Sequence, residues 1–150
     1  MRVLVTCGGG CIGAWVIKGL LDRGVDVLNF DLAAEQTRLS LIAPPETLRR
    51  LTVETGAIED TARVKALVKD GGITHIIHLA AVLMPFCQAN PVTGAMVNVI
   101  GTLNLFEAAR DTSPDIRIVY ASSSAVCCLS TETFSWRTSI SGWSAGWKLV

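Results

Sequence analysis

One segment constrains this chain more than any other: Arg2-Val-Leu-Val-Thr-Cys-Gly-Gly-Gly-Cys-Ile-Gly13. Residues 2–6 are a short apolar, β-branched run that ends in glycines, the mark of a buried strand. Residues 11–23 place Ile12, Trp15, Val16, Leu20 and Leu21 at helical spacing. Gly8, Gly10 and Gly13 between them satisfy G-x-G-x-x-G, at the strand-to-helix junction where that pattern has a mechanism. Glycines allow a tight turn and a close backbone approach to a diphosphate. The first helical residues, Cys11, Ile12 and Gly13, then offer free N–H groups and the positive end of the helix dipole. Asp31 ends the second apolar run, 18 residues beyond Gly13. A carboxylate there accepts hydrogen bonds from ribose hydroxyls and repels a 2′-phosphate, which favours NAD over NADP. The plainer alternative is that the glycines only build a turn and Asp31 only caps the next helix.

The rest of the chain repeats the alternation. Strands are expected at residues 25–30, 51–54, 75–79 and 116–121. Helices are expected at 33–42 and 60–69, and a long one from Pro91 to about Arg110. Gly24, Pro44-Pro45 and Gly71-Gly72 punctuate them. Nearly continuous apolar strands joined by helical crossovers imply an α/β fold: an open, doubly wound parallel sheet in the order 3-2-1-4-5. After Cys128 the pattern stops. Residues 129–150 hold eight Ser/Thr and three of the four tryptophans, with no period. We therefore expect a nucleotide-binding domain over 1–128, incomplete at its C-terminal side, and an atypical tail over 129–150.

Composition narrows the classes further. Half of the residues are apolar, and 13 Lys+Arg balance 13 Asp+Glu. Such a chain is too apolar for a disordered segment and has no basic excess for nucleic acid or an anionic membrane surface. No run approaches the roughly 20 uninterrupted apolar residues of a membrane span. Five cysteines, Cys7, Cys11, Cys87, Cys127 and Cys128, follow no metal-ligand spacing, and the two histidines are His75 and His78, so no metal is expected. Reduced thiols and the lack of a signal-peptide cleavage pattern point to the cytoplasm.

Further segments carry a family resemblance. Laid on T-G-x-x-G-x-x-G, the opening turn gives Thr6, Cys7, Gly10 and Gly13. Gly56-Ala-Ile-Glu-Asp60, His78-Leu-Ala-Ala81, Asn98-Val-Ile-Gly-Thr-Leu-Asn104 and Val119-Tyr-Ala-Ser-Ser-Ser-Ala-Val126 follow in order. Together they resemble the extended short-chain dehydrogenase/reductase superfamily, in its NAD-dependent epimerase/dehydratase branch, with a Rossmann-like fold. The resemblance implies that Ile58 flanks the adenine and that Leu79, Ala80 and Ala81 pass close to the cofactor ribose. It also implies that Asn98 supports the site through polar contacts and that Ser123 holds the catalytic serine position. Each has a plainer reading: Asn98 bonding only to neighbouring backbone, His78 packed at a strand end, and residues 122–124 a polar strand exit. Met84, Phe86 and Cys87 either line the substrate side or cover sheet edges.

The sequence departs from the family in three places. Cys7 replaces the first glycine, which strains the turn unless Gly8 relieves it by a small shift. Ala57 replaces the acid that would bond the adenine amino group. The proton-moving Tyr-x-x-x-Lys is absent: the one tyrosine, Tyr120, lies in the fifth strand with no lysine at that spacing. Gly142-Trp-Ser-Ala-Gly146 matches G-x-S-x-G but has no downstream histidine, which argues against a hydrolase. The expectation is the NAD-binding half of a sugar or sugar-nucleotide epimerase, dehydratase or oxidoreductase, C-terminally truncated, with its enzymatic status open. A non-catalytic dinucleotide-binding module or a non-functional fragment is the alternative. Expected partners are the dinucleotide, a sugar-type small molecule, and a second copy of the chain or a complementary half.

Overall fold

The computed structural model describes residues 1–122, of which 1–120 form one compact unit. Ser123, Cys127, Cys128 and the 129–150 segment lie outside the described residues. Five parallel strands form one sheet in the order β3-β2-β1-β4-β5: β1 Arg2–Thr6, β2 Asp26–Asp31, β3 Leu51–Thr55, β4 His75–His78 and β5 Arg117–Tyr120. This is the expected topology, and its strand order reverses between β1 and β4. In register, Thr6 of β1 faces Phe30 on one side and His78 on the other. A crevice opens at such a point beyond the strands' carboxyl ends, because successive crossovers leave in opposite directions.

Two apolar layers hold the sheet. On one face Ala14, Ile17 and Leu21 of α1 (Cys11–Asp22) pack with Val3, Val5 and Val27. On the other, Val64, Leu67 and Val68 of α4 (Thr61–Asp70) and Leu105, Ala108 and Ala109 of α7 (Gly101–Thr112) pack with Leu4, Leu28 and Ile76. Alternate residues of one strand thus feed opposite layers, the consequence of the strand's two-residue period. Each large side chain buried this way contributes about 1.5–3 kcal/mol. Gly24 ends α1 in the left-handed conformation, φ 77°, which supplies the expected stop. Asp60 caps α4 by accepting the Arg63 backbone N–H at 3.0 Å.

Several boundaries differ from expectation. The helix expected at 33–42 is α2 Thr37–Ile42, and residues 33–36 stay in a loop because Asn29 Nδ2 holds the Gln36 side chain at 3.0 Å. Short helices α3 (Pro45–Leu48) and α5 (Met84–Ala89) occupy segments read as connections. The long helix is a relay of α6 (Pro91–Ala95), a π-helical turn at Met96–Ile100, and α7. The wider turn falls on the segment that carries Asn98, whose side chain bonds to the backbone of Val82.

Candidate functional site

The turn from β1 into α1 is built by close approach. A Cβ on Gly13 would lie 2.3 Å from the Cys7 carbonyl oxygen and 2.6 Å from Gly8 Cα, so only glycine lets the helix pack on the turn. A Cβ on Gly8 would strike Asn29 Oδ1 at 2.3 Å, the same oxygen that accepts the Gly8 N–H at 2.9 Å. Asn29 is fully buried in β2 and is not among the site residues the sequence motifs indicate; one amide inside an apolar strand is the signal that could have found it. Gly9 N–H donates to Asp31 Oδ2 at 2.9 Å, and its carbonyl accepts from Arg38 Nη1 at 3.2 Å. Arg38, also missed, thereby closes the turn from α2.

Gly10 N–H is held by the Cys7 carbonyl at 3.1 Å. Beyond it, α1 begins with no side-chain cap. Among the described residues, the N–H groups of Cys11, Ile12 and Gly13 have no hydrogen-bond partner. Cys11 and Ile12 are exposed. Gly13 is buried, and unpaired amides at the positive end of a 12-residue helix are donors of the kind that can receive an anion.

Two cavities border the turn that precedes the helix. One, of about 360 Å³, is lined by Cys7, Gly9, Gly10, Asp31, Glu35 and Arg38. The other, of about 110 Å³, has a mostly apolar wall that includes Leu32, Ile58, Ala80, Ala81 and Val82. Cys7 and Asp31 border both. Asp31 Oδ1 accepts its neighbour Leu32's N–H at 2.8 Å. Ile58 is buried and sits against Gly101, where a Cβ would approach it to 2.5 Å. Leu79 packs into the α1-side core, and its amide donates to Thr6 Oγ1.

Asn98 does not face either cavity. Its Oδ1 accepts the Val82 N–H at 2.8 Å and its Nδ2 donates to the Val82 carbonyl at 3.0 Å, so it fixes the segment after β4. Met84, Phe86 and Cys87 lie in α5 and line neither cavity; Cys87 Sγ packs 3.0 Å from where a Gly94 Cβ would stand. Tyr120 is in β5, edge-on to Phe106 at 5.7 Å.

The expected relief of Cys7 by Gly8 is absent. Cys7 itself takes the left-handed conformation, φ 58°, and Gly8 does not. The turn geometry requires a positive φ at this one position, and the side chain bears the strain, about 1–2 kcal/mol for a non-glycine residue. Burial, then the neighbouring Asp31 charge, pushes the Cys7 thiol above its usual range, so it stays protonated. Cys7→Gly is accordingly expected to raise stability by about 0.5–1 kcal/mol, the strain relief less the entropy glycine adds to the unfolded chain. A denaturant midpoint shifted upward at unchanged slope is the result to look for.

The chain is similar to known proteins over most of its length. The family model described as GDP-mannose 4,6 dehydratase matches residues 4–133. UDP-glucuronate 4-epimerase 3 of Arabidopsis thaliana is 34% identical over 134 residues, covering 87% of this chain and 31% of the relative. The crystal structure of the Thermus thermophilus UDP-glucose 4-epimerase in complex with NAD superposes with a TM-score of 0.68 at 31% identity, covering 82% of this chain and 38% of that one. The Bordetella bronchiseptica enzyme WbmG in complex with NAD superposes with a TM-score of 0.64 at 27% identity, covering 80% and 36%. The chain therefore spans about a third of the length of the curated relatives it matches.

Proposed function

Because the chain belongs to the NAD-dependent epimerase/dehydratase family of short-chain dehydrogenases/reductases, we propose that the crevice at the β1–β4 reversal binds NAD. The observation that carries this reading is the uncapped start of α1, with the Cys11, Ile12 and Gly13 amides unpaired directly after Gly10, which lines the larger cavity. These amides would hold the diphosphate, which carries the negative charge that the helix end attracts. Asp31 would take the adenosine ribose, Leu32 and Ile58 the adenine, and Ala80 and Ala81 the second ribose. When bound, NAD supplies a hydride acceptor. The chain's own residues supply fixed donors for the diphosphate, an acceptor for the ribose and an apolar wall.

The preference for NAD over NADP rests on Asp31. A 2′-phosphate beside its carboxylate would bring like charges together. Arg38 stands nearby with its Nη1 on the Gly9 carbonyl, and Asp31 offsets its charge toward a 2′-phosphate. The reading extends to a sugar-type ligand in the whole protein, the class that the relatives' names describe. It is a reading of binding: Tyr120, the one tyrosine, sits in β5, so these residues supply no Tyr-x-x-x-Lys base. Ser123 is proposed as the residue that holds the substrate oxygen, from its place in the family motif.

Calorimetric titration tests both parts. The chain is expected to bind NAD saturably and NADP more weakly. Asp31→Ala is expected to weaken NAD about tenfold to a hundredfold, the loss of hydrogen bonds to a charged group worth ~1.5–3 kcal/mol. It should narrow or reverse the preference, since Arg38 remains. Unchanged NAD affinity in Asp31→Ala would remove Asp31 from the site, and no saturable heat with either dinucleotide would remove the reading.

A further inference from the structure

Beside the proposed dinucleotide crevice, a line of polar side chains crosses the sheet end: Thr6 and His78, both buried, and the half-buried Thr102. Thr6 and His78 are in register on β1 and β4, with Thr6 Oγ1 2.8 Å from His78 Nδ1. The same Thr6 oxygen accepts the Leu79 N–H at 3.0 Å and the Ala80 N–H at 3.1 Å. A hydroxyl oxygen has two lone pairs and one hydrogen. Both lone pairs are taken by amides, so the hydrogen must point at His78 Nδ1, which therefore accepts.

The other ring nitrogen follows from this. A neutral imidazole that accepts at Nδ1 carries its hydrogen on Nε2. Nε2 lies 2.9 Å from Thr102 Oγ1, and Thr102 gives its own hydrogen to the Asn98 carbonyl at 2.8 Å. Thr102 Oγ1 is thus free to accept from Nε2. Every bond in the line has one permitted direction. An imidazolium would set a hydrogen on Nδ1 against an oxygen with no lone pair left. Burial of the ring acts in the same sense and lowers its pKa, with no charged side chain among the causes.

The line ends where the crevice wall begins. Leu79 and Ala80 hang from Thr6, and Val82 is clamped by Asn98, whose carbonyl terminates the line. Ala80, Ala81 and Val82 form one wall of the smaller cavity, and Thr6 leads directly into Cys7 and the glycine turn. We infer that His78, fixed as its Nε2–H tautomer, is a positioning residue for the crevice: it orients the Thr6 hydroxyl and so sets the spacing between the glycine turn and residues 79–82. This deepens the NAD-binding reading and rests on it for its effect on affinity.

Two variants separate the halves of the line. An Asn side chain places its amide oxygen near Nδ1 and keeps the acceptor for Thr6; a Gln side chain reaches the Nε2 position and keeps only the donor to Thr102. His78→Asn is expected to bind NAD nearly as the unaltered chain does, whereas His78→Gln binds about tenfold more weakly, the effect of one misdirected buried hydrogen bond. Amide exchange at Leu79 and Ala80 should quicken in His78→Gln and stay slow in His78→Asn. In the unaltered, unliganded chain, ring ¹⁵N NMR should show Nδ1 unprotonated and Nε2 protonated. The opposite tautomer overturns the inference, and so does equal behaviour of the two variants in affinity and amide exchange. If the unaltered chain binds no NAD, the crevice reading falls, while the tautomer and amide exchange still decide the line.

Discussion

Gly13→Ala is expected to abolish measurable NAD binding and to lower stability by about 1–3 kcal/mol, the usual cost of forcing a group into a packed site. The added Cβ would meet the Cys7 carbonyl oxygen at 2.3 Å and Gly8 Cα at 2.6 Å. Both are backbone atoms of the turn itself, so no rotamer change relieves the contact. Either α1 slides away from β1 or the turn opens. Each movement displaces the Cys11 and Ile12 amides that would receive the diphosphate. Calorimetry with NAD and a urea titration measure the two losses on one sample. Native affinity at reduced stability would show that the helix start is not where the dinucleotide binds.

Asn29→Val is expected to have the second-largest effect, because one side chain serves two segments. Asn29 Oδ1 accepts the Gly8 N–H at 2.9 Å and Nδ2 donates to Gln36 Oε1 at 3.0 Å, in a residue with 0% exposure. Valine fills a similar space and offers neither group. The Gly8 N–H is then buried without a partner, at about 1–3 kcal/mol. The 33–36 loop, which borders the larger cavity through Ala33 and Glu35, loses its tie to the sheet. We expect a stability loss of about 2 kcal/mol by urea denaturation and weaker NAD binding by calorimetry. Gln36→Ala should lower affinity with much less loss of stability, since it frees the loop and leaves the Gly8 bond intact. Native behaviour of Asn29→Val in both assays would contradict this account of the turn.

The sheet order was readable because the buried strands are almost wholly apolar and the helices between them are long enough to show a period. What escaped was short or subtle. Met84–Ala89 is six residues and begins with Met-Pro, too short for any period to emerge. The π-helical turn at Met96–Ile100 shifts helical phase by a fraction of a turn, which a pattern of apolar residues does not reveal. Residues 33–36 carry a weak local helical preference that a tertiary tie, here Asn29 to Gln36, overrides.

At the site, residues defined by backbone roles were legible and residues defined by partners were not. Gly13 is required by contact with a neighbouring turn, and the spacing of the glycines carries that. Gly8 also belongs to the pattern, but its amide and open face are both turned to Asn29. Asn29 and Arg38 act through partners 21 and 29 residues away, which no local motif encodes; Thr6 stands in the turn motif, but its bond to His78, 72 residues away, does not follow from it. The departure at Cys7 was visible in sequence; that the residue itself takes φ 58° followed only from the folded turn.

The most direct measurement is a two-dimensional ¹H–¹⁵N NMR titration of the labelled chain with NAD. The account predicts saturable shifts centred on the Cys11, Ile12 and Gly13 amides, extending to Asp31, Ala80 and Ala81, with Lys65 and Asp111 on the far helices unmoved. No saturable shift up to about a millimolar, where binding free energy falls to ~4 kcal/mol, would contradict it, as would shifts centred away from the start of α1.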